Sequence, residues 1–491
     1  MSRPRDGSRR VLRLAWSLGL ACLSALLVTA HAAAFGPLSQ YGPAAPGANP
    51  GQLSFPIGVT IGPDGNVYVD DSGNDRIAVF APGGAFLRTF GAGQVDNPEG
   101  GAFDTAGNFY VASQNDDSIV VFNPQGAVLR SIGGAGSAAG QLLSPEGVSL
   151  DQQGNVYVPE FFNARVSVFT SQGAFLRAFG WSVATGASAL EVCTTSCQQG
   201  VSGGGAGQLN QPRLGAVDGA GNLYVADDPG QRVEVFTTQG GFQRAFGRNV
   251  GGAGVDVCTV VCANGSGGPA AGQLNEPTSV AIDSAGTLFV TDGNSSNHRV
   301  SVFTAQGMFL RAFGWDVIPA GATDFEICDA VTTCQAGTGG SGPGQLNFPF
   351  ASGFDCRGAL YVADSDNNRV QRFGEPGTRV PPCPSNDFSF GKVLLNKKRG
   401  TAKLTVVVPG PGELVLRDKG LKPQSAGGGA VESKNVSAAG KVKLPIKSKG
   451  KKRRSLNRRG RVSVKAKVTY TPTNGDPNLK SRKIKLIKRL P

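Results

Sequence analysis

The phrase VYVDDSGNDRIAVF, Val67 to Phe80, returns in altered form five more times and ends as LYVADSDNNRVQRF, Leu360 to Phe373. Each copy is an apolar run, a polar turn and a second apolar run. A longer frame recurs around it: a Pro, an apolar run, a D-x-x-G turn, this pair, a Q-G or G-G turn, and F-L-R-x-F-G. The frames open at Pro56, Pro98, Pro145, Pro212, Pro277 and Pro349, spaced by 42, 47, 67, 65 and 72 residues. Such self-similarity confines the chain to an architecture made by repeating one unit. Apolar positions alternate with period two, so each unit is a set of short strands. Four strands joined by tight turns make one blade of a β-propeller. The abundance of Gly and the scarcity of Met, His and Trp suit such a turn-rich β protein.

Position by position, the frame P-x-G-V-x-x-D-x-x-G-N-x-Y-V-x-D-x-x-N-x-R-V-x-V-F resembles the NHL repeat. Over about Phe35 to Gly377 the six-fold count implies a six-bladed NHL propeller. The turn Asp is Asp104, Asp151, Asp218, Asp283 and Asp355, with Gly62 in the first repeat. The aromatic is Tyr68, Tyr110, Tyr157, Tyr224, Phe289 and Tyr361. The Arg is Arg76, Arg165, Arg232, Arg299 and Arg369, with Ser118 in the second repeat. Each has a structural reason. Gly permits the positive φ of a tight turn, Asp binds that turn's N–H groups, and the aromatic fills the space between blades. The Arg pairs with a carboxylate of its own unit, such as Asp71, Asp227, Asp292 or Asp364. These hallmark residues are therefore expected to be scaffold.

The sixth unit lacks its F-L-R-x-F-G strand. Phe35 to Gly42, FGPLSQYG, is expected to supply it, closing the ring and leaving no unpaired join.

Charge divides the chain. Phe35 to Cys383 holds 15 Arg, no Lys and 29 Asp plus Glu, a net of −14; Pro384 to Pro491 holds 28 Lys plus Arg and 5 acids, a net of +23. The expected organisation is a signal peptide over 1–34, the propeller over 35–380, a Pro-rich linker over 381–386 and a basic β-sandwich over 387–491. Arg3, Arg5, Arg9, Arg10 and Arg13 precede an apolar run from Leu14 to Ala30, followed by small residues, as in an export signal. Ser8-Arg9-Arg10-Val11-Leu12-Arg13 resembles a twin-arginine motif; an ordinary basic leader reads equally well. No later run is long enough to span a bilayer. Secretion or association with the cell envelope is expected.

Eight cysteines follow the leader, an even number that favours disulfides in an exported chain. Three long links, Trp181–Gln211, Arg248–Glu276 and Trp315–Phe348, each hold a pair: Cys193/Cys197, Cys258/Cys262 and Cys328/Cys334. Local disulfides are expected there, with Cys356–Cys383 tying the last blade to the chain's exit. These three insertions are expected to share the face of the turns between second and third strands. That face carries Asp71, Asn115, Glu160, Asp227, Asp292, His298 and Asp364, and is the candidate ligand face for a protein or carbohydrate partner.

Catalytic chemistry is poorly supplied. His298 is the one histidine after the leader, so a multi-histidine zinc site is excluded and a triad would have to use it. No catalytic residue and no cofactor is expected. The alternative is a Ca²⁺-dependent hydrolase or lactonase, implied by likeness to six-bladed propellers that hold Ca²⁺ near their axis; Asp227, Asp292 and Asp364 would then be the metal candidates.

The basic segment alternates at strand period over Phe388–Leu395, Ala402–Val408, Glu413–Arg417, Gly440–Ile446, Arg461–Tyr470 and Lys483–Ile487, which suggests a small immunoglobulin-like sandwich. KGKKRRSLNRRGR, Lys449 to Arg461, reads as a basic hairpin or loop. Its Lys451, Lys452, Arg453, Arg454, Arg458 and Arg459 are polyanion-binding candidates, with anionic envelope polymer as the expected partner. Nucleic acid is disfavoured, because no aromatics interleave the cations.

Overall fold

The computed structural model describes residues 35–43, 45–293, 296–375, 388–417, 432–472 and 477–490. The leader, the 381–386 linker and Cys383 lie outside the described residues. So does the Cys356–Cys383 pairing.

Six antiparallel sheets of four or five strands follow the sequence frames. The first is Pro56–Ile61, Val67–Asp71, Arg76–Phe80 and Phe86–Phe90. The second strand of this sheet is buried throughout, since further sheets cover both its faces. Turn chemistry is as expected. Asp104 Oδ1 accepts the Ala106 and Asn108 N–H groups at 2.8 and 2.9 Å, and Gly107 turns the chain with φ 81°. In the first sheet Asp64 takes this role in place of Gly62, accepting from Asn66 N–H at 3.1 Å and Tyr68 O–H at 3.0 Å.

The first strands of successive sheets pack side by side, so that Pro349–Phe354 of the sixth sheet rests on both Pro277–Ile282 and Pro56–Ile61. A repeated hydrogen bond joins the sheets: Ser72 Oγ donates to Pro98 O at 2.6 Å, and Ser365 Oγ donates to Pro56 O at 2.7 Å. Gly36–Tyr41 is the fourth strand of the sixth sheet, paired with Arg369–Gly374. Tyr41, Tyr361 and Val370 then pack with Val59, Val69 and Phe80 in one buried cluster. The first and last repeats thus meet through the same contacts as any two neighbours.

The three long links are more regular than the sequence suggests. Each adds a fifth strand at a sheet's outer edge: Leu190–Cys193, Val257–Cys258 and Phe325–Asp329. The links leave from the turn face and return to it, where Gly200 N–H meets Asn163 O and Gly337 N–H meets Asn297 O. Between those points they run down the perimeter, so their cysteine rings stand on the outer edge. Cys193–Cys197, Cys258–Cys262 and Cys328–Cys334 are bonded.

The C-terminal segment forms a three-stranded and a four-stranded sheet. Leu404, Val406 and Leu444 of one sheet and Leu416, Val464, Val468 and Leu486 of the other share one buried core. The KGKKRRSLNRRGR stretch is neither hairpin nor loop: Gly450–Arg459 is a helix. Its residues are mostly good helix formers, Leu456 buries itself in the sandwich core, and Gly460 at φ 68° ends it.

Candidate functional site

The candidate face is built where the second strands end. Register places each terminal carboxylate opposite an arginine, Asp71 on Arg76, Glu160 on Arg165, Asp227 on Arg232, Asp292 on Arg299 and Asp364 on Arg369. All five pairs are closed, with N–O distances of 2.7, 2.8, 2.9, 3.1 and 2.7 Å. Four of the arginines are essentially inaccessible. Most of their remaining donors go to carbonyls of the link that enters the sheet, and Arg165, Arg232 and Arg299 each also reach a carbonyl of the link that leaves it, Gln198, Ala263 and Gln335. Arg165 reaches Gln141 O at 3.0 Å, and Arg369 reaches Gln345 O at 2.9 Å. The carboxylate's second oxygen accepts an N–H of the same link, as in Asp292 with Asn275 at 2.6 Å. Each pair therefore pins a link to its sheet. The second sheet has Ser113 and Ser118 at these places, and Ser113 Oγ bonds Asp116 at 2.7 Å instead.

The other candidates also bear on loop geometry. Asn115 is exposed and donates to Asp96 Oδ1 at 2.8 Å. His298 is half-buried at φ 41° beneath the third link, close to Gly339. At the equivalent left-handed positions Asp75, Asp117, Gln231 and Asn368 accept an N–H from the next sheet's entry, Asn97, Ser144, Glu276 and Phe55 respectively.

Sequence reading missed a polar cluster inside this face. The residues after the frame-opening prolines include Glu99, Glu146, Arg213, Thr278 and Phe350, which come together because the first strands converge. Arg213 bonds Glu146 and Asp228, both at 2.8 Å, and lies over the rings of Phe161 and Phe350 at 4.6 and 5.3 Å. Gln114 donates to Glu146 at 2.8 Å, and Asn97 donates to Glu99 at 3.1 Å. Burial, then the neighbouring Glu146 carboxylate, hold the Glu99 carboxyl well above the usual range. Leu214 closes the floor against Gly100 and Gly147, where any added Cβ would meet it. No signal marked these residues, since the position after Pro varies among the repeats: Ile57, Glu99, Glu146, Arg213, Thr278 and Phe350.

Two further buried acids lie in the propeller. Asp70 is fully buried, and burial pushes it up to about 7; Gly58 leaves the room it needs, since a Cβ there would fall 1.7 Å from its carboxylate. Glu234 lies 2.7 Å from Arg232, but the contact is not directed as a hydrogen bond, and burial raises Glu234 to about 8. Two carboxyls share one guanidinium there, so the neighbouring Asp227 adds to burial in opposing ionisation of Glu234.

Among the described residues no group of three or more His, Cys, Asp or Glu is placed to hold a metal ion. Asp227, Asp292 and Asp364, the Ca²⁺ candidates, stand in separate sheets, each on its own arginine. The six cations of Lys451, Lys452, Arg453, Arg454, Arg458 and Arg459 are exposed along the C-terminal helix. No described helix is long and apolar enough to cross a membrane.

The NHL repeat model matches residues 53–80 and 274–303. Over 130 residues, 26% of this chain, the sequence is 28% identical to Protein brain tumor of Drosophila melanogaster, of which the match covers 11%. Among solved structures, a streptogramin B lyase aligns with 70% of this chain and 98% of its own at 11% identity and a TM-score of 0.43. A gluconolactonase from Xanthomonas campestris aligns with 66% of this chain and 87% of its own, at 13% identity and TM-score 0.41. An auxiliary nutrient binding protein from Bacteroides thetaiotaomicron aligns over 69% and 76%, at 9% identity and TM-score 0.44. With the matched repeats in register with the antiparallel sheets, the chain carries an NHL-type β-propeller.

Proposed function

We propose that this is an exported binding scaffold of the cell surface, with a six-bladed propeller over 35–380 and an immunoglobulin-like basic sandwich over 387–491. The propeller's turn face takes a protein or carbohydrate partner, and the basic segment takes anionic envelope polymer. The observation that carries this reading is that all five strand-end carboxylates are engaged by arginines of their own sheets, four of them buried. A Ca²⁺-dependent hydrolase would need such groups free to converge on one ion. What the face offers instead is a rim of Asp and Asn, with Phe55 and Phe162 at 38% and 56% exposure beside the Arg213 cluster. Loops on a rigid scaffold of this kind suit recognition.

The test is the divalent-metal content of the purified protein, with thermal melts in Ca²⁺ and in chelator. The scaffold reading expects sub-stoichiometric metal and coincident melts. Near-stoichiometric Ca²⁺ with a chelator-sensitive melt would move the assignment to the hydrolase, and lactones and esters would then be screened as substrates.

A further inference from the structure

We propose that the outer face of the four-stranded C-terminal sheet and the adjoining helix form one continuous surface for a linear polyanion. This rests on the envelope-polymer reading and adds the contact residues and their geometry. The sheet's inner side is fixed by Val464, Ala466, Val468, Ile484 and Leu486 in the core. Alternation therefore turns Arg461, Lys465, Lys467, Lys483 and Lys485 outward, and all are exposed. Register sets Lys465 opposite Lys483 and Arg417 opposite Lys467, with Lys485 opposite Ser463. Like charges directly opposite each other oppose folding. A bound anion relieves that repulsion between Arg417 and Lys467. The described acid on this face is Glu413, near the far end, where Ser433 Oγ donates to it. At the near end the helix joins this strand through Gly460 and Arg461, which brings exposed cations of the helix to the end of the same sheet.

The shape and chemistry favour a linear chain over a bilayer or a base-paired nucleic acid. Cations on one strand face recur about every 6.5–7 Å, and strands lie about 4.8 Å apart, giving a ladder of point charges. Leu456, the apolar side chain of the helix, is buried in the core and has nothing to insert into lipid. Phe388 and Tyr470 are buried, and Phe390 packs on the core, so none offers a stacking platform for bases.

The experiment titrates the full chain into fluorescently labelled linear inorganic polyphosphate over a range of salt. Two triple variants are compared with it: K467Q/K483Q/K485Q on the sheet and K451Q/K452Q/R453Q on the helix. K467R/K483R/K485R serves as the charge-retaining control. Each lost phosphate contact flattens the log–log salt slope by about 0.7–0.9, so each Gln variant is expected to lose about 2–3 in slope and about tenfold or more in affinity. The Arg variant should bind as the parent does. A sheet variant that folds and binds like the parent, while the helix variant fails, would overturn the shared surface. If the parent itself ignores polyphosphate, the envelope-polymer reading falls with it. Tighter binding to vesicles of equal phosphatidylglycerol and phosphatidylcholine, or to duplex DNA, would overturn the choice of a linear chain.

Discussion

Replacing Asp292 with Asn tests whether the strand-end acids are internal anchors. Asp292 Oδ2 lies 3.1 Å from Arg299 Nε and 2.8 Å from Asn297 Nδ2, and Oδ1 accepts the Asn275 N–H at 2.6 Å. Both ionic side chains have zero exposure. The amide keeps the shape but removes the charge, leaving a buried guanidinium among neutral carbonyls of Gln273, Ala270 and Gln335 at 2.9, 3.3 and 3.0 Å. Breaking a buried pair this way costs about 3–5 kcal/mol. The surrounding carbonyls soften the loss, so the low end, about 3 kcal/mol, is expected. For a large domain this is a fall of about 6 °C in Tm. D292N and parent should be unfolded by heat and by urea, each with Ca²⁺ and with chelator. The loss should be the same in both. A change within about 0.5 kcal/mol, the range of an ordinary surface substitution, would refute the anchor. So would a Ca²⁺-dependent rise in the parent's Tm that D292N abolishes.

Asp70 gives a pH prediction. Its folded pKa, about 7, lies above the ordinary 3.8, so the folded state keeps a proton that the unfolded state releases. Its contribution to stability is complete below pH 4, declines as pH rises to about 7 and is flat beyond. Asp70→Asn should flatten that part of the profile and melt above the parent at pH 8; equal melts at pH 5 and pH 8 in the parent would contradict this. Tyr41→Ala removes a side chain that is 1% exposed and bonds Pro82 O at 2.7 Å, so urea unfolding should show a loss of about 3–5 kcal/mol. The double change Cys258→Ser with Cys262→Ser opens a small ring and should cost about 2 kcal/mol in the same assay.

Much of the propeller was legible because its constraints recur in step. Proline, turn Asp, aromatic and Arg each repeat with their geometric cause, and the Arg–carboxylate register follows from strand period alone. Asp64 escaped because it does the turn's work two places after Gly62. The outer strands escaped because Leu190–Cys193 and Val257–Cys258 are too short to show a period. The helix at Gly450–Arg459 carries one core contact, Leu456, so no apolar stripe announced it against its charges. The Arg213 cluster escaped for the opposite reason to the anchors. It is assembled by convergence of positions that vary among the repeats, and repetition in sequence reveals what units share, not where they differ.

The pairing of Gly36–Tyr41 with Arg369–Gly374 orders events in time. The strand that completes the last sheet is synthesised before every other described strand of the propeller. At about 5–20 residues per second, some 330 residues and roughly 15–65 s separate its appearance from that of its partner. Strands formed in between can zip locally as hairpins, which close in microseconds. The final closure cannot, and throughout the delay Gly36–Tyr41 presents an open backbone to any other chain. The sixth sheet is therefore completed at its outer edge by a strand that has waited for its partner, and a nascent chain of this kind has most to gain from a factor that holds that strand.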